Sequence, residues 1–550
     1  MNIGFKEDLT NEFKSDKKKL PDSDIIDAVV AFANTNGGNL YLGVEDDGEI
    51  TGLHKEHTDA VQLAAFIANK TVPPVTVEVE KRDDNAYIRI GIPKCRSIVA
   101  SSSGKILRRR IKADGTPENV PLYPHEIHSR LSDLRLLDFS AQCVPDSEYS
   151  DLDDTERERL RNIIRSYNGE KALLELDNEE LDKALRLVDV IDGKIKPTYT
   201  GMLLIGRPDR LRLRIPTAEA TFQVMKGSGV VMNESINLPI LAAFEKISTF
   251  MDARNSEEEI EMGLFRISVS DYNKRAVREA LVNAFCHRDY TMLGRVRVLL
   301  DDNGLTISNP GGFIEGVTLE NLLTVEPHGR NLALADALKR IGLAERTGRG
   351  IDRIFEGSLL YGKPLPDYSE SNDVMVRLFI PKSLPDRDFT KLISEEQNRL
   401  GHELPINSLL VMNELKRNRR ASIAELSETT HISEAKLRVT VESLVESGLI
   451  DAIGNGRSRY YTLSADVYKR AGNVTGYVRQ AGIDKIRYPE MILKFAETNN
   501  GIITRKDAAE LLRLNVQQAY RILKKMADDG KLIPEGKGKG AYYKITQGSH

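Results

Sequence analysis

Between residues 274 and 351 three local signals follow one another in a fixed order. Lys274–Tyr290 (KRAVREALVNAFCHRDY) consists of good helix formers with an apolar stripe, and it sets Glu279 and Asn283 four residues apart, on one helical face. A strand pattern (RVRVLLDDNGLTIS) then runs into the turn Asn309-Pro310-Gly311-Gly312. Further on, Arg346-Thr347-Gly348-Arg349-Gly350 leads into another helical pattern. Taken singly, each signal is ordinary: a Glu-x-x-x-Asn pair suits a solvated helix face, and glycine turns join any two elements. In this order they describe an α/β unit with a helix and two glycine turns around one cleft. Glycine lets backbone N–H groups approach a ligand closely, and a helix N-terminus favours phosphate.

The strings EALVNAFCHRDY, ISNPGGF, RNLALADAL and ERTGRGI resemble, in sequence and order, the ATP-binding boxes of GHKL ATPases. They are closer still to the divergent histidine-kinase-like ATPase domain of bacterial helicase C-termini and transcriptional regulators. The resemblance spans roughly residues 270–380. It implies a GHKL (Bergerat) α/β sandwich that binds ATP with Mg2+. By that resemblance Glu279 is the base that activates water and Asn283 the Mg2+ ligand, while Gly311, Gly312, Gly348 and Gly350 shape the cleft. Asn309 stands where the family carries an Asp that reads the adenine amino group; an amide oxygen can accept the same hydrogen bond. Arg330 is a candidate phosphate contact, and Arg330–Leu338 a candidate lid that ATP orders. For His287, Arg288 and Asp289, core or helix-capping roles are the alternative.

At 550 residues the chain is long enough for several domains. The expected divisions are 1–135, a connector at 136–260 that begins in a polar linker (136–150), the ATPase unit at 261–385, and two small units at 400–470 and 484–547. Three widely spaced cysteines (Cys95, Cys143, Cys286) give no zinc or disulfide framework, and no long apolar run or signal-peptide core occurs, so a cytoplasmic protein with no membrane partner is expected. A net charge of −4 confines nucleic-acid binding to local patches.

In the first unit a helical pattern at Asp22–Asn34 is followed by the Asn36-Gly37-Gly38 turn, a strand at Leu40–Val44 and the acidic turn Glu45-Asp46-Asp47-Gly48. This order resembles the AlbA-type domain of the Schlafen family, whose members include metal-dependent RNases acting on tRNA-like substrates as well as simple nucleic-acid-binding modules. The resemblance implies Glu7 and Glu12 as catalytic carboxylates that share a divalent cation, Mg2+ or Mn2+, with Asp46 as the third and its neighbours Glu45 and Asp47 as alternatives to it. The alternative is an acidic terminus and a solvated turn. Lys14 is a candidate phosphate ligand. So are Arg108 and Arg110 in the run KILRRRIK, where alternate residues of a strand share a face; a charged edge strand that avoids aggregation is the other reading.

Residues 404–466 and 486–546 each show three helical patterns, a glycine-plus-basic turn and a Tyr-rich strand. Both resemble winged-helix DNA-binding domains. Lys436 and Arg438 in the first third helix, and Gln517, Arg521 and Lys524 in the second, are candidate base contacts. Arg457, Arg459, Lys537 and Lys539 are candidate wing cations for phosphate. Dimerisation or protein docking is the alternative use of such modules, and the first third helix also carries Glu434, Glu442 and Glu446. The combined expectation is a multidomain protein: an ATP-controlled nucleic-acid binder of the transcriptional-regulator kind, working as a homodimer on DNA or RNA. The rival is a metal-dependent nuclease in anti-phage or stress defence.

Overall fold

The computed structural model describes residues 2–82, 86–112, 115–134, 136–262, 265–314, 316–326, 329–345, 347–454, 459–464, 467, 488–512, 516–536 and 541–546.

The first unit is a four-stranded sheet with its main helix on one face. Strand Asn11–Lys14 runs parallel to Gly38–Leu42, which pairs antiparallel with Tyr87–Ile92, and that strand pairs with Glu78–Arg82. Alternation sends Leu40, Leu42, Ile88 and Ile90 into the core with the helix Asp22–Ala33. The opposite face carries Tyr41 and Tyr87, with Phe13 and Phe5 packed at ring distances of 5.6 Å from Tyr41. Gly38 is obligatory: its φ is +150°, and a Cβ would lie 2.4 Å from the Thr10 carbonyl and 2.7 Å from the Phe32 ring. The run Lys105–Lys112 contributes strand Leu107–Ile111, paired with Pro117–Pro121.

Residues 144–380 share one hydrophobic core. Its centre is a five-stranded sheet in the order Gly229–Ile236, Ala220–Lys226, Val296–Leu300, Gly304–Pro310, Met375–Pro381. Ala220–Lys226 runs parallel to Val296–Leu300; the other neighbours are antiparallel. The division expected at 260/261 therefore cuts through a sheet, because two of its strands come from the stretch read as connector. Nor is 136–150 a free linker. Asp138 and Ser140 accept from the Ala333 and Leu334 N–H groups at 2.8 and 3.2 Å, capping the helix Leu332–Arg340 from outside, and Val144 is buried. That helix occupies most of the segment expected to be a lid. The irregular stretch lies before it, at 316–326, where only turns occur.

The first winged helix comprises helices Ile406–Asn418, Ile423–Thr430 and Glu434–Glu446 and the pair Ile450–Ile453 with Tyr460–Leu463. A helix not anticipated from sequence, Arg387–Leu400, adds Phe389, Leu392 and Ile393 to its core, which also takes in Leu359 from the helix Gly350–Leu359. The module is thus packed onto the ATPase-like unit. The second has helices Tyr488–Thr498, Arg505–Leu512 and Val516–Asp528 around a sheet in the order Ile502–Thr504, Tyr542–Ile545, Leu532–Glu535. Among the described residues no helix is long and apolar enough to cross a membrane.

Candidate functional site

The helix Lys274–His287 starts at Asn273, whose side chain accepts from the Arg275 and Ala276 N–H groups. One face, including Ala276, Ala280, Leu281 and Phe285, is buried in the core. Glu279, Asn283 and His287, spaced by four residues, all line a cavity of about 600 Å3. Ile307 and Asn309 from one strand, Val376 and Leu378 from the next, and Tyr368 give the cavity an apolar side. Such a size and lining suit a small organic ligand oriented by a few polar groups.

The second glycine turn closes against the first helix. A Cβ on Gly350 would lie 3.2 Å from Glu279 Oε2 and 3.7 Å from the Asn283 amide, so helix and turn share one wall. Gly350 begins the helix Gly350–Leu359, and among the described residues no side-chain cap bond is made at its N-cap, Arg349; Gly348 (φ +78°) precedes it, and both glycines line the cavity. Uncapped N–H groups at a cavity wall make an anion site. Gly350→Ala is expected to weaken nucleotide binding while leaving the melting temperature nearly unchanged, because alanine suits a helix better than glycine. Calorimetric titration with ATP checks this; undiminished affinity would place the turn outside the site.

Glu279 is 1% exposed. Burial raises its carboxyl above the ordinary value; Glu345 adds to the rise, and Arg278, 3.4 Å away, opposes it. The His287 imidazole is pushed down to about 4 by burial, with the Arg330 and Lys339 charges adding, so it is neutral at pH 7. Asn309 lines the cavity, and its Nδ2 donates to the Pro310 carbonyl at 3.2 Å, a bond that does not use its Oδ1.

Arg330 does not serve as expected. It is 4% exposed, pairs with Asp289 at 3.2 Å and donates to the Gly312 carbonyl at 3.1 Å. It is a strut that holds the first glycine turn to the end of the Glu279 helix. Gly311 (φ +93°) belongs to the same contact, since a Cβ there would lie 2.9 Å from Asp289 Cβ; of the two glycines, Gly312 lines the cavity. Arg288 is buried, donating to the carbonyls of Asp289 and Gly294 at 2.6 Å. Sequence reading missed Asp336, Lys339 and Arg186, which also line the cavity. The i, i+3 spacing within LALADALKR was the available signal for the first two; none marked Arg186.

In the first unit the Glu7 carboxyl lies within the fields of Glu12 and Asp46. Burial raises the Glu7 carboxyl, with the Glu12 and Asp46 charges contributing and Lys14 opposing. Lys14 lies among them, 2.9 Å from Glu12, and these three carboxylates hold its ammonium above the usual value against the effect of burial. Glu12 is buried and its other oxygen pairs with Arg109 Nη1, while Asn119 donates to both oxygens. Both Glu12 oxygens are thus taken by protein donors, and among the described residues no three His, Cys, Asp or Glu side chains are arranged to hold a metal. The donor set does not fit the expected cation. The protein's own Lys14 and Arg109 neutralise it instead, so Lys14 is engaged with carboxylate.

Arg108 and Arg110 do share the outer face of their strand, but Arg108 pairs with Glu126 and Arg110 with Glu118, each at 2.6 Å. In the winged helices Lys436 and Arg438 are exposed, the latter paired with Glu434 at 3.0 Å. Arg459 is exposed and lies over Tyr461. Gln517, Arg521 and Lys524 are exposed at helical spacing on Val516–Asp528. Arg457, Lys537 and Lys539 lie outside the described residues.

Comparison with known proteins finds matches for separate segments of the chain. Residues 7–115 match the family model "Schlafen, AlbA_2", residues 294–379 match "Putative ATP-dependent DNA helicase recG C-terminal", and residues 405–451 match "Winged helix-turn-helix DNA-binding". Residues 130–221 match a domain of unknown function. The second match begins after the Glu279 helix, so the placing of Glu279 and Asn283 rests on the geometry above. No curated relative matches the chain. The fold is similar to the crystal structure of the DIP2311 protein from Corynebacterium diphtheriae, with a TM-score of 0.52 at 20% identity, covering 84% of this chain and 94% of that one.

Proposed function

We propose that this protein, which joins a Schlafen-type AlbA_2 domain, an ATPase-type domain and winged helices, binds and hydrolyses ATP and couples the nucleotide to nucleic-acid binding. The adenine lies along the apolar wall with Asn309 Oδ1 accepting from its amino group. The phosphates meet the uncapped N-terminus at Gly350. Asn283 is the side chain that would hold Mg2+, which neutralises phosphate charge when bound, and Glu279 takes the proton of the attacking water. Duplex DNA is assigned to residues 400–547, with the exposed Gln517, Arg521 and Lys524 as readers. ATP-gated DNA binding of this kind is the behaviour of a transcriptional regulator.

Leu323 carries the coupling. It lines the nucleotide cavity and also packs against the core of the first winged helix. Nearby, Glu320 is held below its ordinary value first by a hydrogen bond from Thr318, with the charge of His431 contributing. His431 is the turn between the second and third helices of that module, next to the end that reaches base edges in such folds. A ligand that repositions 316–326 therefore acts directly on the DNA-reading module.

The test is duplex binding by the full chain, read by fluorescence anisotropy with and without a non-hydrolysable ATP analogue. The expected shift in DNA affinity is about 5- to 150-fold. Leu323→Ala should keep ATP binding and lose most of that shift. Identical DNA affinity with and without analogue in the unmodified protein would sink the proposal.

A further inference from the structure

The connector reaches the nucleotide cavity at one residue, Arg186. Its position is rigid. Leu185 and Leu187 on either side are 1% and 0% exposed, anchored in the shared core. Arg186 N–H donates to the Lys183 carbonyl at 3.1 Å, and its own carbonyl accepts from Thr198 Oγ1 at 2.8 Å. Its φ is +56°, a conformation uncommon for a residue with a Cβ. The carbonyl two residues earlier, Ala184 O, accepts from Arg340 Nη1, which ties this turn to the helix that carries Asp336 and Lys339.

Other arginines in this neighbourhood are committed. Arg157 pairs with Asp182 at 2.7 Å, Arg340 with Glu170 at 3.0 Å, and Arg161 donates to the Leu176 carbonyl at 2.8 Å. Among the described residues Arg186 has no ion pair, and its side chain is exposed at the cavity. The charge balance of the lining gives this weight. Glu279, Glu326, Asp336, Glu345 and Asp352 contribute carboxylates. Against them the described lining offers two permanent cations, Arg186 and Lys339, since His287 is neutral at pH 7. Glu345 and Asp352 are paired with Arg353 and Arg349 outside the lining; against Glu279, Glu326 and Asp336, a polyphosphate entering this cavity can engage Arg186, Lys339 and a bound cation.

We infer that Arg186 is a nucleotide-phosphate contact, supplied by the connector and acting together with Lys339. This rests on the ATP reading above. It makes the connector a part of the nucleotide site, so that occupancy by a phosphate-bearing ligand pulls on the segment that joins the AlbA_2 domain to the ATPase core. A guanidinium suits the task because it offers a planar fork of donors to phosphate oxygens.

The test uses the full chain and two probes, Mg-ATP and adenosine, in calorimetric titrations of Arg186→Ala, Arg186→Lys and, as a surface control in the same region, Arg212→Ala. Arg186→Ala is expected to weaken ATP binding about 10- to 100-fold, the scale of a lost charge-assisted contact, and to leave adenosine binding within about threefold. Arg186→Lys should recover part of the loss. Arg212→Ala should match the unmodified protein, and melting temperatures should agree across the set. Equal loss for ATP and adenosine, or unchanged ATP affinity in Arg186→Ala, would overturn the assignment of Arg186. Absence of ATP binding in the unmodified protein would instead overturn the nucleotide reading on which it rests.

Discussion

Glu279→Gln should reduce ATP hydrolysis by about 10²-fold or more while leaving ATP affinity close to that of the unmodified protein, the usual signature of a lost general base. Glutamine keeps the shape of the side chain beside Gly350, so binding geometry is retained and the proton acceptor is removed. The pH profile supplies a second check. The Glu279 carboxyl is raised by burial, and only its ionised form accepts a proton. Hydrolysis should therefore rise with pH along a limb centred above the ordinary carboxylate range, and Glu279→Gln should lack that limb.

The same shift has a consequence for stability, with the opposite sign to a salt-bridged carboxylate. A folded-state value above the unfolded one means that the folded state holds the proton more tightly. Stability is then lost as pH rises through that interval, and at neutral pH the buried charge is a net cost. Glu279→Gln should accordingly melt at a higher temperature than the unmodified protein near pH 7, and the difference should shrink in acid. An active site that is both more stable and inactive after one isosteric change is the expected trade. Wild-type hydrolysis in Glu279→Gln would show that this helix does not carry the base.

Much of this architecture was legible because local chemistry and tertiary need agree. Gly38 and Gly350 sit where a Cβ would meet backbone, the Phe32 ring or the Glu279 carboxyl, and both stood out as glycines next to periodic segments. Helical spacing put Glu279 and Asn283 on one face, but only the order of the four strings and the resemblance they carry marked that face as a site. What was not legible depends on contacts between distant segments. Strands Ala220–Lys226 and Gly229–Ile236 look like any short alternating run, and only pairing with Val296–Leu300 assigns them to the ATPase sheet. Arg330 and Arg186 illustrate the same limit. Their formal charge is equal, yet Asp289 and the Gly312 carbonyl consume the first, while the second is left facing the cavity.

The largest stability effect is expected at Arg109, and it also decides what Glu12 is for. Arg109 and Glu12 side chains are 2% and 5% exposed and form a buried ion pair. Arg109 further donates to the Asp8 carbonyl at 2.9 Å and the Asn11 carbonyl at 3.1 Å, and its guanidinium lies 4.6 Å from the centre of the Phe32 ring. One side chain thus ties the hairpin Leu107–Pro121 to the first strand and to the main helix. Arg109→Ala leaves a carboxylate in a nearly dry interior, a change that costs about 3–5 kcal/mol in comparable buried pairs. Lys14 keeps its contact with Glu12, which favours the lower end of that range. Urea melts of the full chain, following the transition of this domain, measure the loss. Replacing both partners, Arg109→Met with Glu12→Leu, should be less damaging than Arg109→Ala alone, because no unpaired charge remains. A metal-ligand role for Glu12 makes the contrary forecast: Mn2+ would raise the melting temperature of the unmodified protein by mass action, and Glu12→Gln would abolish that rise. With both Glu12 oxygens held by Arg109, Lys14 and Asn119, the expected result is no Mn2+-dependent shift and a large destabilisation on loss of Arg109.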